Sequence, residues 1–133
     1  MSTDEQIKIK AEYYNEAILY MNNTKEILKK ANKTDDIFSD INYVKIASGT
    51  AYNAVLLALD GYFKLKEVPE SRGSKNIDYY RTNITKLDKK LLDYVNDIYE
   101  VLHLSGYYDG IKNVNIINEG FYLAYKVIDK IKP

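Results

Sequence analysis

The chain has 133 residues, which is enough for one domain with a sizeable hydrophobic core. Its 19 basic and 19 acidic residues cancel, so the overall charge gives no reason to expect a nucleic-acid or membrane partner. Because cysteine is absent, disulfides, thiolate metal sites and a cysteine nucleophile are excluded. The N-terminus is polar and acidic, unlike a signal peptide, and no apolar run approaches the roughly 18 residues of a membrane span. We therefore expect one soluble, cytoplasmic domain over residues 1–133.

The first predicted helix covers residues 4–31. Its apolar side chains recur at alternating steps of four and three: Ile7, Ala11, Tyr14, Ile18 and Met21. Acidic residues stand near its start and lysines near its end, which suits the helix dipole. The polar stretch 32–36 interrupts the pattern and predicts the connection to the next helix.

The second predicted helix, residues 38–66, is the one around which the fold should be organised. Small residues follow one of its faces at steps of four and three: Ala47, Ala51, Ala54, Ala58 and Gly61. Such a face allows another helix backbone to approach closely. The run 54–59 is apolar on every side, which is typical of a helix buried by several neighbours. We therefore expect this helix to be central.

The same helix predicts self-association. Large apolar residues radiate away from its small-residue face: Val55, Leu56, Leu57 and Leu59. Three neighbouring helices would not easily cover this circumference, and monomers rarely expose so large an apolar patch. We therefore expect a homodimer.

The third predicted helix covers residues 77–105. A loop over residues 67–76, which contains proline and glycine and has no apolar period, separates it from the second helix. Its seam is the most regular in the chain: Ile77, Tyr80, Ile84, Leu87, Leu91, Tyr94, Ile98, Val101 and Ser105. The helix should end at Gly106, with that glycine in the left-handed conformation.

The fourth predicted helix covers residues 113–131, with Asn113 as its N-cap. Gly120 lies within its apolar stripe, where glycine costs roughly 1 kcal/mol relative to alanine, so we expect a close packing contact there. Four helices without any strand-like alternation predict an all-α fold without a sheet, a four-helix up-and-down bundle.

Between the last two helices lies a compact corner, residues 103–110, which we expect to be first a structural device that locks the third helix onto the fourth and second the best candidate binding site. Gly106 and Gly110 bracket residues 107–109, so the backbone can take positive φ on both sides of them. Asp109 can accept hydrogen bonds from local backbone N–H groups, and Tyr107 or Tyr108 can fold back over the end of the bundle. His103 should stand near a helix C-terminus, where its protonated form is favoured.

Motifs for catalysis or metal binding are incomplete. Glu100 and His103 match a Glu-x-x-His spacing, but His103 is the only histidine and Glu100 should face solvent. No glycine-rich phosphate loop is present. We therefore expect no metal, no cofactor and no catalytic residue. The acidic stripe of Asp93, Asp97 and Glu100 is either a solvated face or a patch for a basic partner, such as the lysine-rich end of the first helix in a second copy.

Three stretches, taken together and in this order, resemble a known family: Tyr43–Asp60, Lys89–Leu92 and Tyr99–Gly110. The last is the most specific, with Leu-His-Leu-Ser followed by Gly-Tyr-Tyr-Asp-Gly. The family consists of small helical bacterial proteins of unknown function, found mainly in Bacteroidetes (DUF 5618 type). More distantly, the layout is similar to the HEPN superfamily of helical bundles, many of which are ribonucleases or partners of nucleotidyltransferases. Their catalytic signature, an Arg followed four to six residues later by His, is absent here, so the resemblance implies a non-catalytic member.

These observations favour a non-enzymatic helical-bundle protein that acts through self-association or partner binding. The alternative is a HEPN-like RNA-binding or antitoxin-type protein paired with a nucleotidyltransferase, although the balanced charge argues against nucleic acid. A third interpretation is an enzyme that uses the corner from His103 to Asp109, which lacks the partner groups that catalysis requires.

Overall fold

Helices account for most of the chain in the computed structural model, which describes residues 1–133. The α-helices are α1 (Thr3–Lys29), α2 (Ile41–Leu65), α3 (Ile77–Thr85), α4 (Lys89–Ile98) and α5 (Val114–Ile128). A π-helix (Tyr99–Tyr108) continues directly from α4, and a short 3-10 turn (Asp129–Ile131) follows α5. The predicted all-helical class is confirmed, with five α-helices where the sequence predicted four. None of them has both the length and the apolar character that a membrane span requires.

Each α-helix begins at a polar side chain that caps it. The capping residues are Ser2, Asp40, Asn76, Asp88 and Asn113. Each accepts a hydrogen bond from a backbone N–H of the first turn, which satisfies a donor that helix geometry leaves free. The predicted cap at Asn113 is confirmed, because its Oδ1 accepts from the backbone N of Ile116 at 3.0 Å.

The central position of α2 is confirmed by its burial. Twelve of its 25 residues are buried, whereas only three of the 27 residues of α1 are. The predicted small-residue face is among the buried positions, and Gly61 on it lies against α1. A Cβ at Gly61 would stand 2.6 Å from the Cβ of Tyr13, so only glycine allows this approach. On α1 itself the predicted stripe is wrong at its start, since Ile7 is exposed and burial begins at Ala17.

The sequence predicted the third helix as one continuous element, and this prediction is wrong. It is divided into α3, α4 and the π-helix, with a turn between Lys86 and Asp88. Asp88 begins α4 as its N-cap, because its Oδ1 accepts a hydrogen bond from the backbone N of Leu91 at 3.1 Å. The regular apolar seam therefore does not continue across the turn. Leu87 is exposed, and Val95 is buried where the seam had placed Tyr94.

The predicted end of this segment at Gly106 is also wrong. The helix runs on to Tyr108 with π-type hydrogen bonds, such as that from the backbone N of Asp109 to the oxygen of Leu104 at 3.0 Å. The left-handed glycine is Gly110, with φ of 65°. Long π-helical stretches are rare, and short ones are frequent at functional sites.

Glycine is required at position 106 for a different reason, namely contact with α2. A Cβ there would stand 2.3 Å from Oγ and 2.5 Å from Cβ of Ser48, whose hydroxyl is fully buried without a hydrogen-bond partner. On the opposite side α5 approaches the π-helix through Gly120, where a Cβ would stand 2.7 Å from Leu102 and 2.8 Å from Val101. The predicted close contact at Gly120 is confirmed. The π-helix is thus held between α2 and α5.

The expectation of no sheet is wrong, because β1 (Lys33–Thr34) and β2 (Ile37–Phe38) pair as an antiparallel hairpin. Two polar residues with positive φ shape it, Asn32 at 52° and Asp35 at 55°, and such residues tolerate this conformation better than most. The hairpin closes one end of the helices. Its Phe38 is buried in a small second core with Ala31, Val44, Val114 and Ile117.

We expect Gly106→Val to destabilise the protein by about 1–3 kcal/mol, the usual cost of forcing atoms into a packed contact. Thermal unfolding followed by circular dichroism measures the effect. Gly73→Val is the matched control, because a Cβ at Gly73 meets nothing within 4 Å. Equal melting temperatures for the two variants would show that the π-helix does not need its close contact with Ser48.

Candidate functional site

Aromatic rings gather where the π-helix meets α2. Tyr99, His103 and Tyr107 follow one another at steps of four, so their rings share one face of the helix. The His103 ring is stacked on Tyr99 with centroids 5.0 Å apart and on Tyr107 with planes 11° apart. Tyr52 of α2 stacks on the same imidazole at 4.6 Å, and Tyr108 meets it edge-on at 5.0 Å. These five residues form the aromatic cluster, with His103 at its centre.

Three of the four predicted site residues are brought together in this cluster, namely His103, Tyr107 and Tyr108. Tyr107 folds back onto α2, as predicted for one of the two tyrosines, because Gly49 leaves room for its ring. Asp109 lies outside the cluster. Its carboxylate is exposed and makes no hydrogen bond within the chain, so the capping role predicted for it is absent from the structure.

A cleft of about 500 Å³ opens beside the cluster, between α2 and the end of the π-helix. Eight residues line it: Ile46, Gly49, Thr50, Tyr52, Asn53, His103, Tyr107 and Tyr108. None of them carries a formal charge at neutral pH, and five present an apolar or aromatic surface. Such a cleft accommodates flat or apolar groups and offers Asn53 for a hydrogen bond.

The inner side of the cluster is held by polar contacts from α3. The guanidinium of Arg81 lies over the Tyr99 ring, 4.8 Å from its centroid, and its Nε donates to Oδ1 of Asn96 at 2.7 Å. Sequence reasoning missed Tyr52, Tyr99 and Arg81. A spacing of four from His103 could have indicated Tyr99, whereas Tyr52 and Arg81 join the cluster only through the tertiary fold.

The cluster is uncharged at neutral pH. Burial lowers the pKa of His103 from its usual 6.5, so the prediction of a favoured proton is wrong. The imidazole lies between the rings of Tyr52, Tyr99 and Tyr107, and this burial disfavours its charged form. Burial, with a smaller contribution from the neighbouring Tyr99, raises the pKa of Tyr52 to about 12. His103 makes no hydrogen bond to a carboxylate, so no acid–base pair is assembled around it.

The other sequence-based candidates lie outside the cluster. Asp93, Asp97 and Glu100 are all exposed, as a solvated stripe would be. No group of three or more His, Asp or Glu side chains is arranged to hold a metal ion.

We expect the pKa of His103, measured by NMR titration, to lie below 6.5. The folded state then binds fewer protons at this site than the unfolded state, so stability falls as the pH drops from above 6.5 through the folded-state pKa. Because His103 is the only histidine, its signal needs no further assignment. His103→Phe keeps a ring in the stack without titrating, and its melting temperature should depend less on pH between 7.5 and 5.5. A pKa above 6.5 would instead mean that the tyrosine faces stabilise the imidazolium.

Comparison with known proteins gives the same family that the sequence resembles. The family described as "Domain of unknown function (DUF5618)" matches residues 12–133. A solved structure, a protein of unknown function from Dyadobacter fermentans, is 39% identical, with a TM-score of 0.81 over 92% of this chain and 94% of that one. No curated protein matches the chain. Since the match spans nearly the whole sequence, the chain belongs to the DUF5618 family.

Proposed function

We propose that this chain is a non-enzymatic binding protein that forms a homodimer through the cleft beside the aromatic cluster. The observation that carries the proposal is an exposed apolar rim. Ile46, Tyr107 and Tyr108 are 52%, 45% and 60% exposed and surround one cleft. Apolar side chains concentrated around one concavity are typical of an interaction site, and tyrosine is enriched at interfaces.

The surface differs from the one on which the sequence-based expectation of a dimer rested. Val55 and Leu59 are buried within a single chain, and Leu56 and Leu57 are half-buried. The apolar circumference of α2 is therefore largely covered by its own neighbours. The side of α2 that faces solvent, from Ile46 toward the C-terminal end of the helix, is not covered by other elements, and we call it the strip.

This strip continues the cleft along α2. A second depression, of about 400 Å³, follows the cleft along α2. Asn53 lines both concavities, and the second one extends to Asp60. At 1.5 Å per residue the strip is about 21 Å long, enough for several turns of a helix to pack against it. The corresponding strip of a second copy, related by a twofold axis, offers the same uncharged rim at the cleft. At the far end of the strip Asp60 is paired with Lys75 at 3.1 Å within the chain, so this end adds no free charge to the contact.

We expect the protein to sediment at twice its monomer mass of 15.4 kDa at micromolar concentration. Ile46→Glu combined with Tyr108→Glu should shift it to the monomer, because two carboxylates would have to be buried in an apolar contact. Leu19→Glu is the matched control, since Leu19 is 51% exposed on α1 and lies outside the cleft. A wild-type protein that sediments only as a monomer would contradict the homodimer.

The proposal excludes catalysis at His103. The imidazole is stacked on aromatic rings and lacks a carboxylate partner, so it has no group with which to exchange a proton. We expect the purified protein to leave RNA intact, with or without added divalent metal. RNA cleavage that His103→Ala abolishes would contradict a non-enzymatic role and would favour an enzyme acting at this corner.

The RNA-binding alternative finds less support in the cleft. Bases do stack on aromatic rings, but single-stranded nucleic acid also needs cations along its backbone, and the cleft is lined by no Lys or Arg. A pairing with a nucleotidyltransferase stays open as a protein–protein contact through the same rim.

A HEPN-like four-helix topology, with a cytoplasmic bacterial setting, also belongs to the proposal. The topology is supported by the chain direction, which alternates from α1 to α2, from α2 to α4 with its π-helical continuation, and from there to α5. Tyr13 of α1 meets Gly61 of α2, and Asp88 at the start of α4 bonds Lys130 after α5 at 3.3 Å. In this arrangement α3 is an additional short helix.

A further inference from the structure

A second concavity lies on another face of the molecule, between the C-terminal half of α1 and α5. Its volume is about 600 Å³, which is within the range of small-molecule sites. We call it the α1–α5 groove. Its floor is apolar and is formed by Leu28, Phe38, Val114 and Phe121. Neither the aromatic cluster nor the cleft beside it contributes to this groove.

The rim of the groove is strongly cationic. Lys25, Lys29 and Lys33 stand on it, and no acidic residue lines the groove, although acidic and basic residues balance over the whole chain. Lys29 pairs with Glu26 at 2.9 Å. Lys25 and Lys33 make no ion pair, and Lys25 lies over the Tyr125 ring instead. An apolar floor with unpaired cations on one edge complements a ligand that has an apolar body and an anionic head.

We propose that the α1–α5 groove binds a linear carboxylate with an apolar tail, the chemistry of a free fatty acid. The lysines hold the carboxylate at the rim, and the alkyl chain lies over Leu28 and Phe121 toward the floor. This assignment is independent of the proposed dimer, because the two surfaces share no residue.

A slim ligand fits the groove better than a protein helix. Phe38 and Val114 on the floor are only 3% and 5% exposed, so they lie deep below the side chains of the rim. An α-helix with its side chains is about 10–12 Å wide and would rest on the rim without reaching them. The acidic stripe of a second copy is also unsuitable, since the apolar side of α4, with Leu91 and Val95, is already buried in its own core.

Binding of dodecanoate below its micelle concentration, measured by calorimetry at pH 7.4, tests the proposal. We expect one site per chain, with affinity that rises about tenfold for every two methylenes from octanoate to dodecanoate, as burial of an alkyl chain requires. Lys25→Glu combined with Lys33→Glu should weaken dodecanoate by about tenfold or more while changing dodecanol by less than about twofold. Lys8→Glu, an exposed change at the other end of α1, should leave both affinities unchanged.

A second pair of variants tests the groove itself. Asn118→Trp places an indole over the floor from an exposed rim position and should abolish binding, whereas Asn115→Trp, also exposed on α5 but outside the groove, should not. Unchanged affinity in Asn118→Trp, or a flat chain-length series, overturns the proposal. NMR shifts of groove residues that follow protein concentration alone would assign the groove to a second copy. Binding of an acidic amphipathic helix with no response to dodecanoate would assign it to a protein partner, and either result also overturns the proposal.

Discussion

The contact between Gly106 and Ser48 is the constraint on which the rest of the structure depends. It brings the π-helix so close to α2 that no side chain fits between them, and it does so although the Ser48 hydroxyl is left without a hydrogen bond. A buried hydroxyl without a partner costs about 1–3 kcal/mol, so the packing around it must offset this loss. The same approach places the His103 face of the π-helix against Tyr52 and opens the cleft beside it. Fold and candidate site therefore have one origin.

The sequence predicted those helices whose burial follows their own apolar period. α2 and α5 are of this kind, and both the cap at Asn113 and the close contact at Gly120 were foreseeable from local residue types. The prediction of a continuous third helix was wrong because two features of the sequence favoured different structures. Its apolar seam continued across Asp88, but the Asp88 side chain stabilises a new helix start more than Leu87 stabilises a continuous one. The hairpin between α1 and α2 was not predicted, because its strands of two residues each are too short to show an alternation of polar and apolar side chains.

Of the candidate site, the sequence could predict the part that is continuous along the chain. The pair of glycines at positions 106 and 110 predicted a corner that includes His103, Tyr107 and Tyr108. Tyr52 and Arg81 are distant in sequence and come close to His103 only when the helices pack together. Asp109 was included because aspartate commonly caps turns, but the π-helix supplies its own backbone hydrogen bonds there and leaves the carboxylate in solvent. The α1–α5 groove had no sequence signal, since its lysines resemble an ordinary helix end.

The shortness of α3 has a consequence for its docking on the core. An isolated helix of nine residues is well below the roughly 12–15 at which helices become marginally stable in water, so α3 exists only while it is docked. It is docked by Tyr80 and Ile84, which are buried in the core, and by the hydrogen bonds from Tyr80 to Asp60 at 2.9 Å and from Arg81 to Asn96. Folding and docking of α3 are therefore a single equilibrium. A molecule that takes the place of α3 on the core therefore unfolds α3, and part of its binding free energy offsets the cost of that unfolding.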